Sequence, residues 1–117
     1  MYEQIINFDE INCESSEIPG ITFKVLSGVP EKGPSVAIYY FAPRATIPAH
    51  FHSVANETAY VLDGDFVENG KAFGPGTVLF GPAGAVHGPH YSEKGCTILF
   101  ALSRELDFNV SDLNPAS

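Results

Sequence analysis

The sequence predicts a single all-β domain. Short apolar runs rich in β-branched and aromatic residues recur along the chain, and each is bounded by Gly, Pro, Asn or Asp. Such runs at close spacing are typical of a β-sandwich or β-barrel. Nothing between residues 20 and 102 reads as a helix of three turns. At 117 residues and 12.6 kDa, one domain has enough chain to bury a hydrophobic core.

Five segments are predicted as strands because their apolar residues fill runs of strand length. Each run stops where residues that favour turns begin, such as Gly33-Pro34, Asp63-Gly64 and Gly81-Pro82. The predicted strands are Ile21–Leu26, Ser35–Ala42, Glu57–Leu62, Thr77–Phe80 and Cys96–Leu102. The dipeptide Asn69-Gly70 also predicts a tight hairpin, because both central residues of that turn require positive φ.

The charge distribution divides the chain into three parts. All six Lys and Arg residues lie within residues 21–104, where six acidic residues balance them, so the net charge of −8 comes from the flanks. We expect an acidic N-terminal arm over residues 1–20, a β-barrel domain over 21–104 and an acidic C-terminal tail over 105–117. The arm contains a cluster of apolar residues that we expect either to cross to a second subunit or to pack on its own barrel. These residues are Ile5, Ile6, Phe8 and Ile11.

Composition argues against several classes of protein. Six scattered basic residues form no patch for phosphates, so we expect no nucleic-acid partner. No run approaches the 18 apolar residues of a membrane span, and residues 1–20 lack the basic start of a secretory signal. The protein is therefore expected to be cytoplasmic and to have no membrane partner. Cys13 and Cys96 are expected to be thiols in that compartment, with Cys96 in the core.

The four histidines lie between positions 50 and 90 and are the main candidates for a metal site. In a strand, His50 and His52 point to the same face, and a turn over residues 53–56 would return Glu57 beside them. His87 follows the turn that ends the fourth predicted strand. Imidazole and carboxylate donors suit first-row divalent ions. Taken singly, a His-x-His pair also occurs on solvated strand faces and a lone His often has a structural role.

This pattern resembles the two sequence motifs of the cupin superfamily. His50-Phe51-His52, Glu57 and Gly64 match the first motif, and Gly76, Pro82, Gly84 and His87 match the second. The resemblance implies a small jelly-roll β-barrel of two antiparallel sheets. It also implies that His50, His52, Glu57 and His87 bind one divalent transition metal per chain, which is Fe, Mn, Ni, Co or Zn. Two positions differ from the motifs, since Arg44 replaces a Gly and Tyr91 replaces an Asn.

A narrower resemblance follows the second motif. His87-Gly88-Pro89, Ser92 and the run from Gly95 to Phe100 are similar to ChrR-type cupin domains, which occur in zinc-containing anti-sigma factors and in small stand-alone proteins. Acetylacetone-cleaving dioxygenases are similar in this region. Glu57 is a departure from those dioxygenases, which are described as using three His without the Glu. The anti-sigma role is not expected, since we predict no second domain with further His and Cys in this chain.

Four protein ligands around a six-coordinate ion leave two positions open, and this arrangement favours an enzyme. We expect dioxygenase-type chemistry on a small carbonyl or enolisable compound that chelates the metal. One alternative is a non-redox isomerase, cyclase or lyase in which Glu57 is the catalytic base. The other is a non-catalytic binding or sensing module, which tetrahedral Zn would favour. Arg44, His90 and Tyr91 are candidate substrate-pocket residues, and the protein is expected to be a homodimer.

Overall fold

Residues 1–112 are described by the computed structural model, and they form an antiparallel β-structure with a single 3-10 turn at Phe8–Glu10. No helix in this part of the chain is long and apolar enough to span a bilayer. Strands are numbered in chain order. The larger sheet has six: β1 (Glu14–Ser15), β2 (Ile21–Gly28), β3 (Ser35–Phe41), β6 (Glu57–Gly64), β9 (Val78–Gly81) and β11 (Cys96–Leu102).

A second sheet contains only strands of two or three residues. Its members are β4 (Thr46–Ile47), β7 (Phe66–Glu68), β8 (Lys71–Phe73) and β10 (His90–Tyr91). A separate pair joins β5 (His50–Phe51) to β12 (Asn109–Val110). The larger sheet has the order β1-β2-β3-β11-β6-β9, and the smaller one has the order β4-β10-β7-β8. Between β3 and β11 the chain passes repeatedly from one sheet to the other, as in a jelly roll.

The five strands predicted from sequence are confirmed, and all five belong to the six-stranded sheet. The Asn69-Gly70 hairpin is also confirmed, because it joins β7 to β8 with φ values of 47° and 84° at its central residues. The arm includes β1, which pairs with β2. The expected tail begins inside the fold, since β12 pairs with β5, while residues 113–117 lie outside the described part of the chain.

The core lies between the two sheets and follows the period-2 alternation of strands. On β11 the residues Cys96, Ile98, Phe100 and Leu102 are buried, and their neighbours are less so. The smaller sheet contributes Ile47 and Phe66, and the Phe66 ring packs edge-on against that of Phe41. Because the core draws on both sheets, it fixes their separation around the barrel interior. Cys96 is a free thiol in this core, as expected, and Cys13 is exposed and free.

Phe80 lies at the surface, although an aromatic residue in a predicted strand is by default expected in the core. It is 63% exposed, whereas Tyr39 is partly buried and Phe41 and Phe100 are buried. Strand β9 is an edge strand, and its alternation turns Leu79 inward and Val78 and Phe80 outward. The hydrophobicity of a residue does not indicate which face of a short strand it occupies, so one register step separates core from surface.

Gly64 shows why one of the motif glycines is required. The residue ends β6 with φ of 82°, a left-handed conformation that favours glycine. A Cβ at this position would lie 2.2 Å from the carbonyl oxygen of Gly95. The close approach lets β6 turn toward the second sheet beside the start of β11.

Candidate metal centre

Strand alternation places Glu57 inside the barrel. Glu57 begins β6, and the buried residues of that strand are Glu57, Ala59 and Val61, while Thr58 and Tyr60 lie toward solvent. A carboxylate therefore occupies a core-facing position at the end of the strand. Ionised groups are rarely buried unless they are paired or bind a metal, so this position already indicates a functional group.

His50 and His87 are brought together by backbone hydrogen bonds. The His87 N–H donates to the His50 carbonyl at 2.8 Å, and the His50 N–H donates to the His87 carbonyl at 2.9 Å. Their ring centroids are 4.5 Å apart. His52 follows β5, its ring centroid lies 5.0 Å from that of His50, and its carbonyl accepts from the Gly84 N–H. The turn before His87 and the His-x-His segment are thereby fixed against each other.

Glu57 lies between two of the imidazoles. Its Oε1 is 3.1 Å from Nε2 of His52, and its Oε2 is 3.5 Å from Nδ1 of His87. The donor atoms of His52, Glu57 and His87 all lie within 4.8 Å of one another, as do those of His50, His87 and His90. The structure thus brings together the four sequence-predicted ligands and adds His90, which the sequence suggested only as a pocket residue.

Two of the histidines are oriented by backbone carbonyls. Nδ1 of His50 donates to the Pro48 carbonyl at 2.8 Å, and Nδ1 of His52 donates to the Asp107 carbonyl at 2.6 Å. Each bond leaves Nε2 for the interior of the cluster. Metal-binding histidines typically donate their other ring nitrogen in this way. The contribution of Asp107 has no counterpart in the sequence motifs, because 55 residues separate it from His52.

The pKa shifts of the clustered groups differ in direction. Burial lowers the pKa of His50 to about 4, so this imidazole is neutral near pH 7. Burial also lowers the pKa of His87. For Glu57, burial acts to raise the pKa, but the hydrogen bond with His52 and the nearby imidazoles outweigh it and the net shift is downward. Burial would lower the pKa of His52, yet its bonds to Glu57 and Asp107 raise it.

Two observations indicate that this set of donor atoms fits a divalent transition ion. His52 donates through Nδ1 to a carbonyl, so its 3.1 Å contact from Nε2 to the Glu57 carboxyl group requires either a proton held between the two groups or a cation bound by both. In addition, Nε2 of His87 is buried with no hydrogen-bond partner, which is costly unless a ligand uses the nitrogen. Neutral imidazoles with one carboxylate suit Fe, Mn, Co, Ni or Zn.

Two cavities flank the cluster. The larger, of about 720 Å³, is lined in part by His50, His52, Glu57 and His90. The smaller, of about 190 Å³, is lined in part by Glu57, Glu68, His87 and His90. Glu57 and His90 thus face both spaces. A small molecule entering the larger cavity would meet the cluster directly, as expected for a binding site in a barrel interior.

The three candidate pocket residues have different positions. His90 is buried, and its ring lies against those of His50 and His87 at centroid distances of 5.2 and 5.4 Å. Arg44 is exposed and lines neither described cavity. Tyr91 also lines neither, and its hydroxyl donates to the Glu93 carboxylate. Only His90 of the three is therefore beside the cluster.

Comparisons with known proteins identify the family of the chain and its fold. Residues 1–104 match the sequence profile of the ChrR cupin-like domain family. No curated protein matches the chain. Among solved structures, a putative acetylacetone dioxygenase from Methylibium petroleiphilum has a TM-score of 0.78 at 18% identity and covers 96% of this chain and 84% of its own.

Two further solved structures are similar over nearly their whole length. KdgF from Halomonas sp. has a TM-score of 0.75 at 22% identity and covers 91% of this chain and 97% of its own. The polyketide cyclase RemF from Streptomyces resistomycificus has a TM-score of 0.74 at 21% identity, and the match covers 97% of this chain and 90% of RemF. At these identities the likeness shows a shared jelly-roll fold.

Proposed function

The chain belongs to the family of ChrR cupin-like domains, and from this premise we propose that it is a metal-dependent enzyme. Its substrate is a small, metal-chelating carbonyl or enolisable compound, and its reaction is of the dioxygenase type. The metal is one divalent transition ion per chain, held by His50, His52, Glu57 and His87. The observation that carries the proposal is the buried Glu57 between two imidazoles at the end of a cavity large enough for a small molecule.

The protein groups have separable tasks. A bound ion of this kind would supply Lewis acidity and, as iron, a route to O₂ chemistry. Hydrogen bonds from His50 to Pro48 and from His52 to Asp107 fix the rings, so that each presents Nε2. The apolar part of the cavity, which includes Ile18, Ile21 and Phe100, excludes water from the bound compound.

A second candidate reaction uses the same residues without a redox step. The pKa of Glu57 is lowered despite burial, so the carboxylate is ionised and could accept a proton from carbon next to a carbonyl. The product would be that of an isomerase, cyclase or lyase. A bound substrate in the larger cavity would lie beside this carboxylate, which also lines that space.

Oxygen consumption separates the two reactions. Protein purified without a His-tag is loaded with Fe(II) under anaerobic conditions and mixed with acetylacetone in an oxygen-electrode cell. The dioxygenase proposal expects one O₂ consumed for each diketone lost, and no consumption by His50→Ala, which lacks a ligand. If the loaded protein consumes no O₂ but exchanges the α-protons of the diketone with solvent deuterium faster than buffer alone does, the non-redox reaction replaces it. Loss of that exchange in a Glu57→Gln variant that still holds one metal ion per chain would identify the base.

The setting of the activity follows from the sequence. We place the enzyme in the cytoplasm as a homodimer, with a small molecule as its partner and neither nucleic acid nor membrane. The net charge of −8 at pH 7 disfavours binding to phosphate-rich surfaces.

A further inference from the structure

The environment of His90 resembles that of the predicted ligands. Its Nδ1 contacts Oε2 of Glu68, and Oε1 of Glu68 in turn accepts from the Gly88 N–H at 2.6 Å. His50 and His52 have Nδ1 hydrogen-bonded to a carbonyl oxygen, whereas Nδ1 of His90 is buried and meets the Glu68 carboxylate as an ion-pair contact without hydrogen-bond geometry. In each of the three rings, Nε2 is the nitrogen left to bind an ion. A carboxylate on the distal nitrogen of a histidine is a frequent device for orienting a metal ligand.

His90 lies slightly farther from its neighbours than the predicted imidazole ligands lie from one another, whose ring centroids are 4.5, 4.9 and 5.0 Å apart. Its ring centroid is 5.2 Å from that of His50 and 5.4 Å from that of His87, whereas His50 and His52 are 5.0 Å apart. Strand pairing holds it there, since His90 in β10 is paired with both Ile47 and Glu68. The side chain is buried at 5% exposure, so its polar ring is not placed for contact with solvent.

We propose that His90 is a fifth protein donor to the metal, and that Glu68 is the positioning residue that orients it. The proposal rests on the metal site of the proposed function and extends it by one imidazole. A centre with five protein donors leaves one position of a six-coordinate ion for water or a substrate oxygen, instead of two. A chelating substrate needs two positions and would then have to displace one protein ligand. His90 is the candidate for displacement, because it is the proposed donor that does not belong to the ligands matched by the motifs.

Counting imidazoles in the wild-type protein tests this without any substitution. X-ray absorption at the Co K-edge of the Co(II)-loaded protein should require four imidazole ligands, and that of His90→Ala should require three. By chelator competition, His90→Ala should bind Co(II) at least about tenfold more weakly, and Glu68→Gln should keep four imidazoles with a smaller loss of affinity. Tyr91→Phe is the matched control, because its hydroxyl contacts Glu93 outside the cluster, and it should match the wild type.

The outcomes separate the role of His90 from the proposed function. Three imidazoles in the wild type, together with affinity in His90→Ala within twofold of wild type, would overturn the role of His90 and leave the proposed function intact. Failure of the wild type to bind Co(II) would overturn both. Circular dichroism of His90→Ala and His90→Gln shows whether a weaker site reflects a lost donor or a lost fold.

The charges and aromatic rings of the larger cavity carry a second, independent inference. Among the described residues, its acidic lining side chains are Glu17, Glu31, Glu57 and Asp107, and neither Lys nor Arg lines this cavity or the smaller one. Sites for carboxylates and phosphates usually supply Arg or Lys. A carboxylate or phosphate group on a chelating substrate would therefore meet acidic groups and no basic side chain.

Aromatic rings line the same cavity. Phe23 stacks on Tyr39 at a centroid distance of 5.1 Å, and Tyr39 packs edge-on against Phe100 at 5.2 Å. Phe108 stacks on the His50 ring at 4.4 Å. All of these residues line the cavity, so flat apolar groups find complementary surfaces next to the cluster.

We infer, again on the basis of the proposed function, that the substrate is a neutral chelator with an apolar or aromatic substituent and is neither an organic acid nor a phosphate ester. The test compares three probes that share a 1,3-dicarbonyl group: 1-phenyl-1,3-butanedione, acetylacetone and acetoacetate. Calorimetry with Zn(II)-loaded protein, which has no redox chemistry, should rank their affinities in that order. The phenyl probe should bind at least about tenfold more tightly than acetoacetate.

A charge reversal at the cavity sharpens the comparison. Glu31→Lys places a cation in the lining and should improve acetoacetate binding several-fold, with little change for acetylacetone. Glu3→Lys makes the same change of net charge in an exposed residue away from the cavity and should leave the ranking as in wild type. Acetoacetate binding as tightly as the phenyl probe in wild type would overturn the inference alone, whereas no binding of any probe to the loaded protein would overturn the proposed function as well.

Discussion

The carbonyl oxygen of Asp107 lies 2.6 Å from Nδ1 of His52, so the segment after the last long strand orients a predicted metal ligand. The same residue accepts from the Ser53 N–H through Oδ1 at 2.8 Å. Two residues further on, Nδ2 of Asn109 donates to the Phe51 carbonyl, and β12 pairs with β5. The family match ends at residue 104, so these contacts come from the part of the chain beyond it.

Removing this segment should weaken the metal site while the core remains. A chain ending at Glu105 loses the acceptor for His52 and the partner strand of His50, and we expect metal affinity to fall by about 10–100-fold. A chain ending at Asp112 keeps all of these contacts and serves as the control. Chelator competition measures the affinity, and circular dichroism reports the fold. Equal affinities of the two truncated proteins would show that the segment does not support the site.

Loss of a single ligand should abolish stoichiometric metal without unfolding the protein. His50→Ala and His87→Ala each remove an imidazole from the cluster, whereas the core of Phe41, Phe66 and Ile98 is untouched. We expect less than one ion per chain by elemental analysis and a wild-type far-ultraviolet spectrum. Tyr91→Phe is the control for both variants, because it removes a polar group outside the cluster. Variants that still hold one ion per chain would refute the ligand assignment.

The larger sheet was accessible to sequence reasoning because its strands are long enough for a pattern to show. β2, β3, β6 and β11 each have seven or eight residues, so apolar runs and flanking turns mark them. The smaller sheet consists of two- and three-residue strands, which are too short for alternation to be detected. Only its hairpin had a local signal, in Asn69-Gly70. The second sheet is defined by tertiary pairing, such as that of His90 with Ile47 and Glu68.

The candidate site was predictable to the extent that its residues lie in short motifs. His50, His52, Glu57 and His87 could be selected by spacing, and the structure brings their side chains together. The contact of His90 with Glu68 and that of His52 with Asp107 join residues 22 and 55 positions apart, and no local pattern encodes either. One available signal was the acidic residue at position 68, next to the Asn69-Gly70 turn, but its face could not be assigned without the register.

Asp65 should contribute stability that depends on pH. Its carboxylate accepts from the Ser92 hydroxyl at 2.9 Å and from the Glu93 and Lys94 N–H groups at 3.2 Å. Burial is the largest single influence and opposes ionisation, but the hydrogen bonds together outweigh it and lower the pKa of Asp65. Ser92 is fully buried, so Asp65→Ala leaves its hydroxyl without this acceptor and should cost about 1–3 kcal/mol at pH 7.

The sign of the pH dependence follows from linkage. Since the folded pKa of Asp65 is below the unfolded one, its contribution is complete above the unfolded value and is lost as the pH falls through the folded value. Urea unfolding from pH 7 downward should therefore show the difference between wild type and Asp65→Ala shrinking in acid. Asp63→Ala, an exposed residue two positions away, should track wild type. A difference that stays constant with pH would contradict the assignment.

The N-terminal arm should form the contact between subunits. It is held on the barrel by the Gln4 side chain, which donates to the Leu26 carbonyl at 2.8 Å, and by Lys24, whose ammonium lies 4.2 Å from the centre of the Phe8 ring. Ile5 is nevertheless 88% exposed and Ile6 46% exposed. An anchored segment that turns apolar side chains outward favours burial against a second copy.

Light scattering of two variants tests this dimer. Ile5→Asp should shift the protein toward the monomer mass, because it places a charge in the proposed interface. Val78→Asp makes the same type of change at another exposed apolar residue, 59% exposed on edge strand β9, and should remain dimeric. A monomeric wild type, or dissociation by Val78→Asp alone, would refute the role of the arm.

Arg44 occupies a backbone conformation suited to the glycine found at this position of the cupin motif. Its φ is 68°, and apart from Asn69 no other described non-glycine residue has a positive φ. The left-handed region costs an ordinary residue about 1–2 kcal/mol, whereas glycine loses about 0.5–1 kcal/mol through the entropy of the unfolded chain. Arg44→Gly should therefore raise the free energy of unfolding by about 0.5–1 kcal/mol, or Tm by a few degrees.

The control for this substitution is Lys32→Gly, which changes an exposed turn residue outside the left-handed region and should lower stability by a similar amount. Because Arg44 lines neither cavity, Arg44→Gly should also leave the affinity of the Zn(II)-loaded protein for 1-phenyl-1,3-butanedione and acetoacetate unchanged. A selective loss of acetoacetate binding would show that the guanidinium reaches the substrate after all. A fall in Tm would show that its side chain makes contacts that outweigh the conformational cost of its backbone.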